Sequence, residues 1–126
     1  TTNRYFNYIY VRMGAYTFIH KRTEDDIWKN LFELPLVETE KDLSEEEFLA
    51  CPQFHALFAE GEVRMVRTLL RGVKHVLSHR VIYTNFYEVT LPDNSSSFSS
   101  YQRVAVEDLG RYAVPRLIHA FLEKYV

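Results

Sequence analysis

The sequence predicts an α+β fold, and three observations carry that prediction. From Val81 to Leu91 the side chains alternate with period two. Val81, Tyr83, Asn85, Tyr87, Val89 and Leu91 share one face, and Ile82, Thr84, Phe86, Glu88 and Thr90 share the other. Near the start, two apolar runs flank a single glycine. Two further segments, at Leu43–Phe48 and from Pro115 onward, carry helix-start chemistry. Nine Phe and nine Tyr suit a core dominated by strands.

Taken in order, Tyr5–Met13, the Gly14–Ala15 turn and Tyr16–Lys21 read as a β-hairpin. Phe6, Tyr8 and Tyr10 alternate with Ile9, Val11 and Met13, so the sheet should be covered on both sides. Lys21–Asp26 is a polar loop. Ile27–Glu38 is an edge strand or an irregular extended piece, because Pro35 has no N–H for a ladder. Trp28 within it is expected to be a packing anchor. Ser44 and Glu47 fit a capping box, and Leu43 with Phe48 a hydrophobic staple. Pro52 opens a second short helix bearing Phe54, Leu57 and Phe58, which Gly61 ends. Cys51 sits at the junction.

Val63–Gly72 fits either helix or strand, with extended structure expected from about Thr68. Lys74–Leu77 ends a strand, and Leu77–Arg80 turns the chain into the long strand that follows. Asp93–Ser100, rich in serine, is expected to be a mobile loop. Tyr101–Val106 is a short strand and Glu107–Tyr112 a turn of helix or a tight loop. Pro115 then starts the last helix, with Leu117, Ile118, Phe121, Leu122 and Tyr125 on one stripe.

A chain of 126 residues is one domain by size. It can bury roughly 65–70% of its unfolded surface without covalent staples. One cysteine excludes an internal disulfide and a thiolate metal cluster, and suits a reducing compartment. No apolar run reaches the ~18 residues of a membrane span, and no signal-peptide pattern is present. The chain starts with Thr1, which suggests a domain of a longer protein or a processed terminus. The net charge of -2 hides a polarity. Glu24–Glu62 holds twelve acidic residues against Lys29 and Lys41, whereas Val63–Tyr87 holds none. That second window carries Arg64, Arg67, Arg71, Lys74 and Arg80, with His75 and His79. Composition leaves two readings open, a phosphate-binding face and a solvated one.

Few catalytic patterns survive inspection. His75 and His79 have the spacing of two metal ligands on a helix, but they lie in strand and turn, so no metal site is expected. Ser78 and His79 are adjacent, with no acid to orient the imidazole, so a nucleophile–base pair is not expected. None of the four glycines forms a phosphate-cradling loop.

Three segments carry a family resemblance. Asp26-Ile27-Trp28-Lys29-Asn30-Leu31-Phe32-Glu33-Leu34-Pro35 is similar to an I-W-x-x-L-[WYF]-E-[FL]-P pattern. Lys74-His75-Val76-Leu77-Ser78-His79-Arg80 is similar to K-H-x-[FL]-[ST]-H, and Ala113-Val114-Pro115-Arg116-Leu117 to [AL]-x-P-x-L. In order and interval the chain resembles the C-terminal, Nudix-like domain of MutY-type adenine DNA glycosylases. The resemblance implies a mixed β-sheet flanked by α-helices. It also implies recognition of 8-oxoguanine opposite a misplaced adenine in double-stranded DNA. Excision would belong to a separate N-terminal domain of the same chain, the second expected partner, with the catalytic carboxylates and an iron–sulfur cluster. These 126 residues would then span a single lesion-recognition domain with no catalytic residue, cofactor or metal of its own. The lesion-sensing positions map onto Leu77, Ser78 and His79. Leu77 departs from the common Phe and cannot stack as an aromatic would. Arg71, Lys74, His75 and Arg80 would approach the DNA backbone. The parent enzyme would be cytoplasmic, at the nucleoid of a bacterium.

Two rival readings follow from the same resemblance. A stand-alone Nudix hydrolase needs the metal box G-x5-E-x7-R-E-U-x-E-E-x-G-U, with U aliphatic. No glycine lies between Gly14 and Gly61, and no arginine between Arg22 and Arg64. Glu45–Glu47, the candidate carboxylate cluster for that box, already has a helix-capping role, so hydrolysis is not expected. The other rival is a protein-interaction module using the acidic Glu24–Glu62 half.

Overall fold

The computed structural model describes residues 2–126. Its elements are β1 (Thr2–Arg12), β2 (Tyr16–Lys21), β3 (Phe32–Glu33), β4 (Leu36–Thr39), α1 (Glu45–Ala50) and α2 (Pro52–His55). Then come β5 (Met65–Leu77), β6 (Arg80–Thr90), β7 (Gln102–Ala105), a 3₁₀ helix (Val106–Arg111) and α3 (Arg116–Tyr125). A four-stranded sheet runs β4-β1-β6-β5 and a three-stranded sheet runs β3-β2-β7. The central pair β1 and β6 is parallel, from Thr2 opposite Arg80 to Arg12 opposite Thr90, while β4 and β5 flank it antiparallel. The fold is the expected α+β one, with mixed sheets flanked by helices.

The two-faced apolar pattern follows from the position of β1 and β6 between two cores. Phe6, Tyr8, Tyr10, Ile82 and Phe86 face a cluster completed by Ile19, Leu34 and Val104 and by Leu117, Ile118 and Phe121 of α3. Phe86 stacks on Phe121 with ring centroids 4.1 Å apart. Ile9, Val11, Tyr87 and Val89 face the opposite cluster, with Phe48 of α1 and Phe54 of α2. The capping box at α1 forms as its sequence requires. Ser44 Oγ accepts from the Glu47 N–H at 3.1 Å, and Glu47 Oε1 accepts from the Ser44 N–H at 3.0 Å.

Four expectations need correction. The first hairpin turns at Gly14, whose φ of +60° suits glycine, but only Met13 and Tyr16 pair across it. β6 lines one edge of β1 along its length and β4 pairs with Tyr5–Tyr8 on the other, while β2 pairs with β3 and β7 in the smaller sheet. Strand β5 begins at Met65, earlier than Thr68, paired from Met65 opposite Thr90; register shifts around Leu70 and a left-handed Gly72 (φ +69°) break the period-two pattern that would have marked it. Helix α2 is a single turn ending at His55, and Gly61 belongs to a later turn.

The fourth correction concerns Asp93–Ser100, which is tied down. Glu62 Oε1 accepts from Ser95 Oγ (2.6 Å), Ser97 Oγ (2.7 Å) and Ser97 N (3.1 Å). Its Oε2 accepts from Ser96 N (3.0 Å) and Ser96 Oγ (3.2 Å). The loop thereby seats Phe98 in the core, stacked on Phe18 at 5.4 Å. The hydrogen bonds, led by that from Ser95, lower the Glu62 carboxyl to about 2. A depressed folded value contributes stability above the ordinary carboxyl value of 4.5 that is lost as pH falls toward 2. Protection factors against hydrogen exchange at the Ser96 and Ser97 amides should therefore fall across that interval more than those at core amides of β6. Constant protection down to pH 2 would contradict the clasp.

Cys51 is free and half-buried between α1 and α2, as its junction position suggests. No helix among the described residues is long and apolar enough to cross a membrane.

Candidate functional site

β5 and β6 meet in a two-residue turn, Ser78–His79, with Leu77 opposite Arg80. The Thr2 N–H donates to the His79 carbonyl at 3.0 Å, tying the turn to the start of β1. Ser78 and His79 are exposed, while Leu77 packs against the α3-side core. The turn forms one wall of a cleft of about 490 Å³, whose other wall is Asp25–Ile27. Two segments some fifty residues apart in the chain thus meet here.

The far wall is held by charge. Arg4 grips Asp26 through both oxygens, Nη1 to Oδ1 at 2.7 Å and Nη2 to Oδ2 at 2.8 Å. Arg22 adds a 3.0 Å bond to Oδ2, Arg80 a 3.2 Å bond to Oδ1, and the Ile27 N–H a 2.8 Å bond to Oδ1. The Arg4 hydrogen bonds hold the Asp26 carboxyl far below the usual carboxylate range. Arg4 also binds both oxygens of Glu38 at 2.8 Å. Glu38 and then Asp26 raise the Arg4 guanidinium above its ordinary value, so it stays charged.

Arg22 bridges this cluster to Glu33, which is buried at 1% exposure. Glu33 Oε1 accepts from Tyr8 OH at 2.6 Å and from Arg22 Nη1 at 3.1 Å, and Oε2 lies 2.9 Å from His20 Nε2. Burial, and then the Glu33 charge, push the Tyr8 phenol well above its usual range, so it remains a donor.

Behind the turn, Trp28 meets Phe6 and His75 edge to face at 5.8 and 5.9 Å. It is the packing anchor its segment suggests, held in an unusual left-handed backbone with φ of +58°.

The expected backbone contacts are only partly gathered. Residues paired directly across a ladder share a face, so Lys74 opposite Tyr83 and His75 opposite Ile82 point to opposite sides. Lys74 is exposed, whereas His75 is half-covered by Trp28. Arg71 reaches the α1 side instead, donating to Tyr87 OH (2.6 Å) and the Leu43 carbonyl (2.9 Å), with Asp42 at 3.5 Å. The acid-free window in the sequence is not acid-free in space. Arg67 pairs with Glu88 at 2.8 Å and Arg80 with Asp26. The sequence reading missed Arg4, Arg22 and Asp26 as a cluster. The available signal was an arginine near the start of β1, another just past the end of β2, and an acid opening the Ile27–Trp28 motif.

A Nudix hydrolase would need a carboxylate set for a divalent cation. Glu45, Glu46 and Glu47 occupy the exposed first turn of α1, and Glu47 is spent on its own cap. Among the described residues no three His, Cys, Asp or Glu side chains are grouped to hold a metal ion. The residues present do not fit that cation.

No curated protein matches the chain in sequence. Among solved structures, the C-terminal domain of mouse MUTYH in complex with human PCNA is similar, with a TM-score of 0.67 and 14% identity. That match covers 97% of this chain and 86% of that one. MutT, from Aliivibrio salmonicida and Vibrio cholerae work, has a TM-score of 0.62 and 16% identity over 98% of this chain and 96% of its own. MutT from Methanosarcina mazei has a TM-score of 0.63 and 16% identity over 98% and 93%. At these identities the likeness is one of fold. The model of the NUDIX domain family matches residues 7–124, nearly the whole chain, and the chain belongs to that family.

Proposed function

We propose that this NUDIX domain reads 8-oxoguanine opposite adenine in double-stranded DNA, as the lesion-recognition part of an adenine DNA glycosylase. Excision, with its iron–sulfur cluster, would lie in an N-terminal domain of the same chain. The observation that carries the reading is the convergence of the Asp26–Pro35 and Lys74–Arg80 segments on one cleft, with Ser78 and His79 at its exposed rim. The fold shared with the mouse MUTYH C-terminal domain supports it.

The chemistry suits the positions. Guanine offers an N7 acceptor in the major groove. The oxidised base carries a hydrogen on N7 and an oxygen on the adjacent carbon. The Ser78 hydroxyl can accept from that N–H or donate to that oxygen. It can also donate to ordinary N7, so discrimination requires a fixed loop, which the bond from the Thr2 N–H to the His79 carbonyl supports. Lys74 and Arg80 add attraction that is indifferent to sequence.

The test is binding of the domain to duplexes with 8-oxoguanine or guanine opposite adenine, across a salt series. With about three phosphates neutralised, the log–log salt slope should be near -3, and the oxidised duplex should bind more tightly. Equal affinity for both duplexes, or affinity independent of salt, would count against the reading.

The rival reading, a nucleotide hydrolase, draws on the fold shared with MutT. Because Glu45–Glu47 do not form the required carboxylate set, incubation with Mg²⁺ and oxidised dGTP should release no phosphate or pyrophosphate above a protein-free control. Turnover like that of a working Nudix enzyme would replace the lesion reading with the rival.

A further inference from the structure

Arg80 differs from the other two arginines that meet at Asp26. Arg4 and Arg22 are sheltered, with side chains 17% and 10% exposed, and each holds a second carboxylate, Glu38 and Glu33 respectively. Arg80 is 42% exposed, lines the cleft, and has Asp26 as its one carboxylate partner among the described residues, through a single 3.2 Å contact. Asp26 does not depend on that contact. Without it, four donors remain: two from Arg4, one from Arg22 and the Ile27 N–H. Stripping a partly buried carboxylate of its only partner is costly, but removing one donor of five is not. The arginine fork, in turn, gains a charge-assisted and potentially bidentate bond when it meets a phosphate.

We propose that Asp26 parks Arg80 in the free domain and yields it to a DNA backbone phosphate that enters the cleft, while Arg4 and Arg22 keep Asp26 neutralised. Asp26 is then a positioning residue. Together with exposed Asp25 it masks the arginine and repels stray phosphate, so non-specific association is weakened until a duplex is seated. The inference rests on the DNA-binding reading and adds a device to it.

The test is a double-mutant cycle of Asp26→Asn and Arg80→Ala, read as affinity for a short undamaged duplex across a salt series. Asp26→Asn should tighten binding about two- to fivefold, the range of one released surface ion pair. Arg80→Ala should make the salt slope shallower by about 0.9, the share of one phosphate, in both backgrounds. It should also cost more affinity when Asp26 is absent. The unsubstituted protein supplies an independent readout should Asp26→Asn fail to fold. On adding duplex, the Arg80 Nε–Hε resonance should move while those of Arg4 and Arg22 stay. A flat cycle, or a static Arg80 resonance in a protein that does bind duplex, would overturn the parking role alone. Absence of duplex binding by the unsubstituted protein would overturn the DNA reading, and the parking role with it.

Discussion

Glu33→Ala should be the most destabilising single change at the site, by about 3–5 kcal/mol. The loss is not of a surface ion pair. Glu33 is 1% exposed, and its removal leaves the Tyr8 hydroxyl without its buried acceptor and the Arg22 guanidinium with only Asp26 and the Ile27 carbonyl. A buried donor left unpaired carries its full desolvation penalty, and a buried charge more. Domains of this size have roughly 5–15 kcal/mol in total, so the variant should melt some 10–20 °C lower. Glu33→Gln keeps an acceptor oxygen for Tyr8 and should lose distinctly less. The measurement is thermal and urea denaturation of the three proteins. A Glu33→Ala midpoint within a few degrees of the parent would mean that water or His20 replaces the carboxylate, and the buried network would then be no staple. Because Arg22 joins Glu33 to Asp26, the same change should also loosen the far wall of the cleft.

The Glu33 network also shows what the sequence could and could not convey. Side-chain period two in β6 and the S-x-x-E box at Ser44 are local rules, and both elements form where those rules place them. The Ser78–His79 turn was likewise readable, because it lies between the regular last stretch of β5, Val73–Leu77, and the clear phase of β6. Partner choice at long range was not. Nothing in the spacing of Arg4, Asp26 and Arg80 signals that they meet, since the meeting depends on parallel pairing of β1 with β6. For the same reason the acid-free window misled. Its arginines find Asp26, Asp42 and Glu88 from outside the window, so charge counted along the chain overstated the free positive surface. The serine-rich loop failed differently. Its composition is that of a flexible tract, but Glu62, thirty-three residues before Ser95, gathers its hydroxyls and amides. Polar composition marks a loop as mobile only when no buried or capping acceptor claims its donors.

The largest effect on recognition should come from the turn itself. In the adenine glycosylase proposed above, Ser78→Ala combined with His79→Ala should narrow the preference for adenine opposite 8-oxoguanine over adenine opposite guanine. One lost base contact is worth about 1–3 kcal/mol of discrimination, or roughly 5- to 150-fold. Ser78 carries the larger share, because its hydroxyl oxygen is the one side-chain atom in the Leu77–Arg80 turn able both to donate and to accept. His79→Ala should act in the same direction where the imidazole orders the loop, whereas a lost phosphate contact alone would weaken both duplexes equally; the bond from the Thr2 N–H uses the His79 carbonyl and survives the change. Single-turnover excision at saturating duplex should fall less than binding at limiting enzyme, because neither side chain takes part in breaking the glycosidic bond. Ser78→Thr retains the hydroxyl and should recover part of the preference. The fold should be spared, as both side chains are exposed and exposed substitutions usually stay within about 0.5 kcal/mol. Excision and binding on both duplexes, with circular dichroism as the folding control, make the comparison. A folded double variant with undiminished lesion preference would show that the reader lies elsewhere. A double variant that unfolds would assign Ser78 and His79 to holding the hairpin, and the cleft would then have to read the base through Asp25–Ile27 instead.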